Sequence, residues 1–454
     1  MRRKLLSLIL TCCMVMGMLA ACGKGEEVKK EETSNEVTSI ADSAAQTENV
    51  NETTGESSGE EEVTIKLALW DYDSEGSVYP ALVEAFEKAN PNIKVEVISA
   101  ASGDYETKLS TMLGGGEDID VFFGKSNTQY PTLVLKEFAL QIDDLIASHN
   151  YDLTAYGGVL DEHYRLDGAL YALPFRTNDW VIFYNKNIFD EAGVPYPTND
   201  MTWEEYREIG KKITSGEGEN KIYGIGFIPK MGFVNPALIG SVEGFDITTS
   251  DFSELKYALE YYLALQNEDQ TYEPYAQSKS MNQDQTYFYK GTTGMLYNGS
   301  WFVQMLVGNK DKIDFEWGMV KQPYWEGTEQ KLFITSTPVL IGKNTKHPEE
   351  AFKFLTFFTG EEGANVLAAL NYVPSYMTDG IMETYRNSTG LDEDSMAAIT
   401  GNKVYGLSKP NVLMGVISDM MNEELELAIT GNQSVDKTLE NMTIRREEII
   451  EQNK

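Results

Sequence analysis

The sequence predicts an α/β fold, with mainly parallel sheets flanked by helices and enough chain for two lobes. Three stretches carry that prediction. Residues 63–123 read strand, helix, strand, helix, strand, an order that argues for a parallel sheet with right-handed crossovers. Residues 169–184 read as two apolar strands around a polar break, the form expected of a hinge between lobes. Tyr289 to Trp301, YKGTTGMLYNGSW, reads as a buried strand, Gly294 to Tyr297, opening at Asn298-Gly299-Ser300 onto an exposed indole. In α/β folds, ligands sit where strands end and loops begin. A turn delivering an amide, a hydroxyl and a wide aromatic face suits a sugar, whose rings offer C–H faces to stack and hydroxyls to bond.

The elements follow in order. Val63 to Trp70 alternates and then becomes continuously apolar, so it is a central strand. It opens into the polar loop Asp71–Ser77. Pro80 to Ala89 is an amphipathic helix stopped by Asn90-Pro91. Ile93 to Ile98 is a second strand, and Tyr105 to Leu113 a second helix ended by Gly114-Gly115-Gly116. Those glycines end a helix and no GxxxxGK[ST] follows, so they are no phosphate loop. Ile119 to Phe123 is a third strand, opening on Gly124–Thr128. Strands follow at Ala169–Phe175 and Trp180–Tyr184, with Asn178 and Asp179 expected at the floor of a cleft. Thr202-Trp203-Glu204-Glu205 is a capping box that starts a helix. Lys221–Phe227, Phe315–Val320 and Phe333–Ile341 are strand-like, and Pro323-Tyr324-Trp325 makes a second aromatic loop. Helices are expected at Phe252–Ala264, Ala351–Phe358 after Pro348, Gly363–Leu370, Val412–Thr430 and Val435–Glu448.

Composition narrows the function. Formal net charge is -34 with 71 acidic residues, which repels a phosphate backbone and disfavours nucleic acid. The three cysteines, Cys12, Cys13 and Cys22, all lie near the start, so the body has no disulfide, thiol nucleophile or thiolate metal cluster. His149, His163 and His347 stand apart without metal-site or triad spacing, and each is expected on the surface or a loop. No cofactor and no dedicated metal site is indicated; the acidic loop Asp71–Glu75 would be at most an unspecific calcium site.

Arg2-Arg3-Lys4 and the apolar run Leu5–Leu19 form a secretory signal peptide. It ends Leu19-Ala20-Ala21-Cys22-Gly23, which resembles a bacterial lipobox. Cys22 would then be diacylated, and two acyl chains suffice for stable membrane attachment. Residues 23–62 are acidic, polar and poor in large apolar side chains, so they form a flexible tether.

Several segments, in this order, resemble one family. They are VTIKLALWDYDSEGSVYPALVEAFEKANPNIKVEV, YETKLSTMLGGGEDIDVFFG, GALYALPF, VIFYNKNIFDEAGVPYPTNDMTWEEYREIGKKIT, YKGTTGMLYNGSW and HPEEAFKFLTFFTGEEG. They are similar to the extracellular solute-binding proteins of carbohydrate ABC importers, the maltose-binding-like group. The resemblance implies a two-lobed periplasmic-binding-protein-like fold of type II with the ligand cleft at the hinge. Lobe 1 would take 63–175 plus 332–370, and lobe 2 176–331 plus 371–454. It implies no catalysis, a carbohydrate ligand, a membrane permease and an ATPase as partners, and a monomer outside the cell membrane. Site residues carried over are Asp71, Asp73, Ser74 and Glu75 after the first strand, and Ser126, Asn127 and Thr128 after the third. Asn178 and Asp179 would stand at the hinge, Trp301 would stack a sugar ring, and Asn298 and Trp325 would join the site. A lipid-tethered adhesin or sensor would use the same cleft. A secreted glycosidase would need a carboxylate pair that no motif singles out.

Overall fold

The computed structural model describes residues 62–453, apart from 75, 126–128, 158, 227, 229–233, 401–402 and 406–410. Its strands are β1 (Val63–Trp70), β2 (Ile93–Ala100), β3 (Val121–Phe123), β4 (Arg165–Leu166), β5 (Ala169–Leu170), β6 (Ala172–Asn185), β7 (Tyr223–Gly226), β8 (Thr293–Gly299), β9 (Trp317–Lys321), β10 (Leu332–Ile341) and β11 (Lys403–Tyr405). One sheet runs β2-β1-β3-β10-β6-β8-β7, with β11 beside β10 and β9 beside β6; β4 and β5 form a separate hairpin.

The prediction for residues 63–123 holds, within a sheet that is mixed because β6 and β10 pair antiparallel with their neighbours. β1 pairs in parallel with β2 and with β3. Ile65, Leu67, Ala68 and Leu69 of β1 are fully buried, as a strand covered on both faces requires. The Tyr79–Ala89 helix turns Leu82 and Phe86 inward, and Asn90 closes it by donating its backbone amide to the Phe86 carbonyl. β3 is shorter than expected, although the Asp120 backbone still donates to the Lys66 carbonyl and accepts the Gly342 amide. The Asp120 carboxylate takes the Lys66 amide at 2.8 Å, in place of a ladder carbonyl, and the Thr345 hydroxyl at 2.5 Å.

The largest departure is β6. The polar run Arg176–Asp179 does not break the strand, which continues for 14 residues. Ladder bonds come from the backbone, and antiparallel partners on both sides supply them whatever the side chains. β10 pairs the first part of β6, from Ala172 to Asp179, and β8 and β9 pair the rest. One hydrophobic core holds Ala172–Phe175 with β1, β3 and the end of β10; a second begins at Trp180 and takes β7, β8 and β9. β6 and β10 therefore each pass from one core to the other. A third segment runs beside them: Val373 accepts the Thr177 amide, and Pro374 forms a bridge with Arg176.

Elsewhere the differences are local. The Thr202–Glu205 capping box is present with both reciprocal bonds. The expected helix from Phe252 begins as a 3-10 turn and becomes α-helical at Lys256. A helix at Asp379–Thr389, capped by Thr378 and ended by Gly390, was not expected. His163 is not a surface group: it is half-buried in the short Leu160–Tyr164 helix, and burial pushes its pKa down to about 4. Among the described residues no helix is long and apolar enough to cross a membrane.

Candidate functional site

The site is built on the part of β6 that lies between the cores. Successive strand residues point to opposite faces. Arg176, Asn178 and Trp180 share one face, and Thr177 and Asp179 share the other. Burial follows the alternation: Arg176 and Asn178 are half-buried, whereas Thr177 is 3% and Asp179 0% exposed. Thr335 of β10 lies opposite Asn178 and is also half-buried. The row from Arg176 to Trp180 spans about 13 Å at the usual rise per strand residue.

Trp301 closes one end of this row. β8 does not open into a turn at Asn298; it runs to Gly299, and Trp301 begins a helix that reaches Gly308. Ser300 ties that helix to β6 from both sides. Its hydroxyl accepts the Asp179 amide at 3.0 Å, and its own amide donates to the Asp179 carbonyl at 2.8 Å. The Trp301 indole rests over Gly299, where a Cβ would fall 1.8 Å from its ring. It meets Trp180 edge-on, with centroids 5.3 Å apart at 87°, and is half-buried. An indole fixed on one edge and only partly covered is what ring stacking needs.

The other end is set by the loop after β1. Tyr79, in the first turn of its helix, is 4% exposed, and its hydroxyl is buried without a hydrogen-bond partner among the described residues. Burial pushes its pKa up to about 12, with Arg176, Tyr372 and Asp71 within electrostatic reach. The Arg176 guanidinium lies over the Tyr372 ring, 5.1 Å from its centroid. The Tyr372 hydroxyl donates to the Gly76 carbonyl at 3.3 Å. Gly76 in turn faces Gln304, on the helix that Trp301 begins: a Cβ there would lie 2.8 Å from the Gln304 Nε2. The loop, the crossing strand, the third crossing segment and the Trp301 helix thus meet around one row of side chains.

The residues expected at the site divide accordingly. Asn178 and Trp301 belong to this row. Asp179 does not share its face, because neighbours on a strand cannot; it is buried on the opposite side, close enough to Tyr385 to raise that hydroxyl's pKa after burial has done so. Asp71 adopts a left-handed backbone (φ 52) and its carboxylate accepts the Ser102 amide at 2.9 Å, so it shapes the loop. Asp73 and Ser74 are exposed in that loop, and the Ser74 amide donates to Asp71. Asn298 is fully buried, its carbonyl oxygen accepting the Gly299 amide. Trp325 needs correcting: it is 3% exposed, donates its indole N–H to the Ala237 carbonyl at 2.7 Å, and packs against Trp203, Tyr257 and Tyr261. It is a core residue of the second cluster. Glu75, Ser126, Asn127, Thr128 and the lipidation site Cys22 lie outside the described residues.

Arg176, Trp180, Tyr79 and Tyr372 were not singled out from sequence. The parity of Trp180 and Arg176 with Asn178 was a usable signal. Tyr372 gave none, because a segment distant in sequence brings it there. Among the described residues no three His, Cys, Asp or Glu side chains converge to hold a metal ion.

Known proteins share this fold. A sugar transporter from Rhizobium etli, solved in an open conformation, is 33% identical, with a TM-score of 0.74 over 85% of this chain and 99% of that one. An ABC substrate-binding protein from Listeria monocytogenes, in complex with cycloalternan, is 23% identical and shares the fold at a TM-score of 0.74 over 86% of this chain and 99% of its own. An sn-glycerol-3-phosphate-binding periplasmic protein of Agrobacterium fabrum is 24% identical over 393 residues, 82% of each chain. The fold is the two-lobed one of periplasmic binding proteins. The model of the bacterial extracellular solute-binding protein family matches residues 70–365, and the chain belongs to that family.

Proposed function

We propose that this chain is the substrate-binding component of an ABC importer, and that it captures a sugar or oligosaccharide by closure of its two lobes. The observation that carries the reading is the Trp301 indole, held edge-on by Trp180 above Gly299 and only partly buried, at the end of the polar row Arg176–Asn178–Thr335. A ring stacked on Trp301 would turn its hydroxyls toward that row. The Rhizobium etli sugar transporter and the cycloalternan complex support a saccharide as ligand.

Residues 63–175 plus 332–370 would form one lobe and 176–331 plus 371–454 the other, a division that the two hydrophobic cores support. β6, β10 and the 371–375 segment would then be the hinge strands. Cys22 would carry the lipid anchor and 23–62 the tether. The loaded monomer would deliver its ligand to a permease driven by an ATPase, with no chemistry of its own.

The test is a thermal-shift screen of the purified protein against mono- and oligosaccharides. A ligand bound only by the native state, at 100 times its Kd, adds about 2.7 kcal/mol of stability. A clear shift with at least one saccharide is expected. A flat response across a broad panel would contradict the saccharide reading.

A further inference from the structure

Arg176 is anomalous for this chain. Acidic residues outnumber basic ones 71 to 37, yet among the described residues no carboxylate pairs with this guanidinium. Its contact is the Tyr372 ring, and its Nε is buried without a hydrogen bond. A cation over an aromatic face is partly compensated, but a buried donor with no acceptor remains costly. Tyr79 repeats the pattern: its ring stacks on Phe175, the residue before Arg176, at 6.2 Å, and its buried hydroxyl has no partner among the described residues. The Tyr372 ring under Arg176 reaches the Gly76 carbonyl with its hydroxyl, three residues before Tyr79, so the two unused donors flank one place. That place lies at the end of the row opposite Trp301. Asp71 opens the same loop, and its Oδ1 accepts the Ser102 amide.

Two buried donors call for a group that only accepts. A sugar hydroxyl accepts but also brings a proton that needs its own acceptor. A carboxylate brings two acceptor oxygens and no proton, and it matches the guanidinium fork. We propose that the ligand is an acidic saccharide, one end of which bears a carboxylate held by Arg176 and Tyr79 while a ring stacks on Trp301. This rests on the saccharide-binding reading above and narrows it to uronate-bearing sugars.

The experiment is calorimetric titration with matched pairs of disaccharides that differ only at C6. Digalacturonate is compared with galactobiose, and a glucuronate disaccharide with its glucose counterpart of the same linkage. In the wild-type chain the acidic member of at least one pair is expected to bind tenfold tighter or more, and more weakly as salt rises. Arg176→Gln should bring that ratio to about one. Tyr79→Phe keeps the ring and should lower the acidic-to-neutral ratio several-fold, which keeps the test open should Arg176→Gln fold poorly. Neutral members binding as tightly as acidic ones, or a ratio unmoved by both substitutions, would overturn the proposal and leave the saccharide reading standing. Binding of no saccharide of either kind would overturn both.

Discussion

Trp301 and Trp325 follow strands of the same core, and each arises from a short polar or proline-containing turn. Their surroundings make them opposites. Trp325 has its indole N–H bonded to Ala237 and three aromatic rings around it, and almost nothing is left exposed. Trp301 meets Trp180 edge-on, has a glycine beneath it and is only partly buried. The difference teaches that the chemistry of a tryptophan is decided by segments far away in sequence. Ala237, Tyr257 and Tyr261 lie well before Trp325, whereas Trp301 is held by Trp180 of strand β6 and stays only partly buried. One indole supports the fold, and the other is proposed to support binding.

The contrast breaks most plainly at Trp325. Trp325→Ala should lower unfolding free energy by about 3–5 kcal/mol, the usual result of deleting a buried aromatic. The midpoint of urea denaturation measures this. A change well under 1 kcal/mol would mean that Trp325 is not the core residue described.

Trp301→Ala should do the reverse. Stability should move little, while sugar affinity falls by about 2 kcal/mol or more, roughly thirtyfold, as for other aromatic anchors. Trp301→Phe should recover part of the loss. Titration of both variants with the ligand that gives the largest thermal shift supplies the comparison.

Gly299→Ala tests the platform without touching the indole's chemistry. The added Cβ would meet the Trp301 ring at 1.8–2.3 Å, so the ring must swing away. Affinity should fall by somewhat less than in Trp301→Ala, with indole fluorescence shifted. An unchanged affinity would show that the ring's position over Gly299 is not the binding one.

The smallest effect is expected at Tyr257, whose ring is 59% exposed and meets Trp325 edge-on at 5.5 Å. Tyr257→Ala should cost about 1 kcal/mol of stability, the size of one aromatic pair, with ligand affinity unchanged. A loss of affinity here would tie the Trp325 cluster to the site and blur the distinction.

Much of the fold was legible because its signals are local. The run VTIKLALW, the Asn90-Pro91 stop and the Thr202–Glu205 box each specify structure within a few residues, and each stands in the structure. β6 misled because polarity at Arg176–Asp179 reads as a break, while the ladder that sustains the strand comes from β10, β8 and β9. The site was legible only in part. Trp301 and Asn178 could be found because a strand end and a hinge announce themselves. Asp179 was drawn in by adjacency, and the two-residue alternation of a strand removes it. Tyr372 and Tyr79 join Arg176 from three separate parts of the chain, and no single stretch shows that convergence.

The most direct test of the central claim is one titration series: the wild-type chain and Trp301→Ala, each with the saccharide giving the largest thermal shift, together with small-angle scattering of the wild type with and without it. The account predicts one-to-one binding, a smaller radius of gyration on saturation, and a loss of about thirtyfold or more in the variant. Equal affinity in wild type and variant, or saturation without compaction, would contradict it.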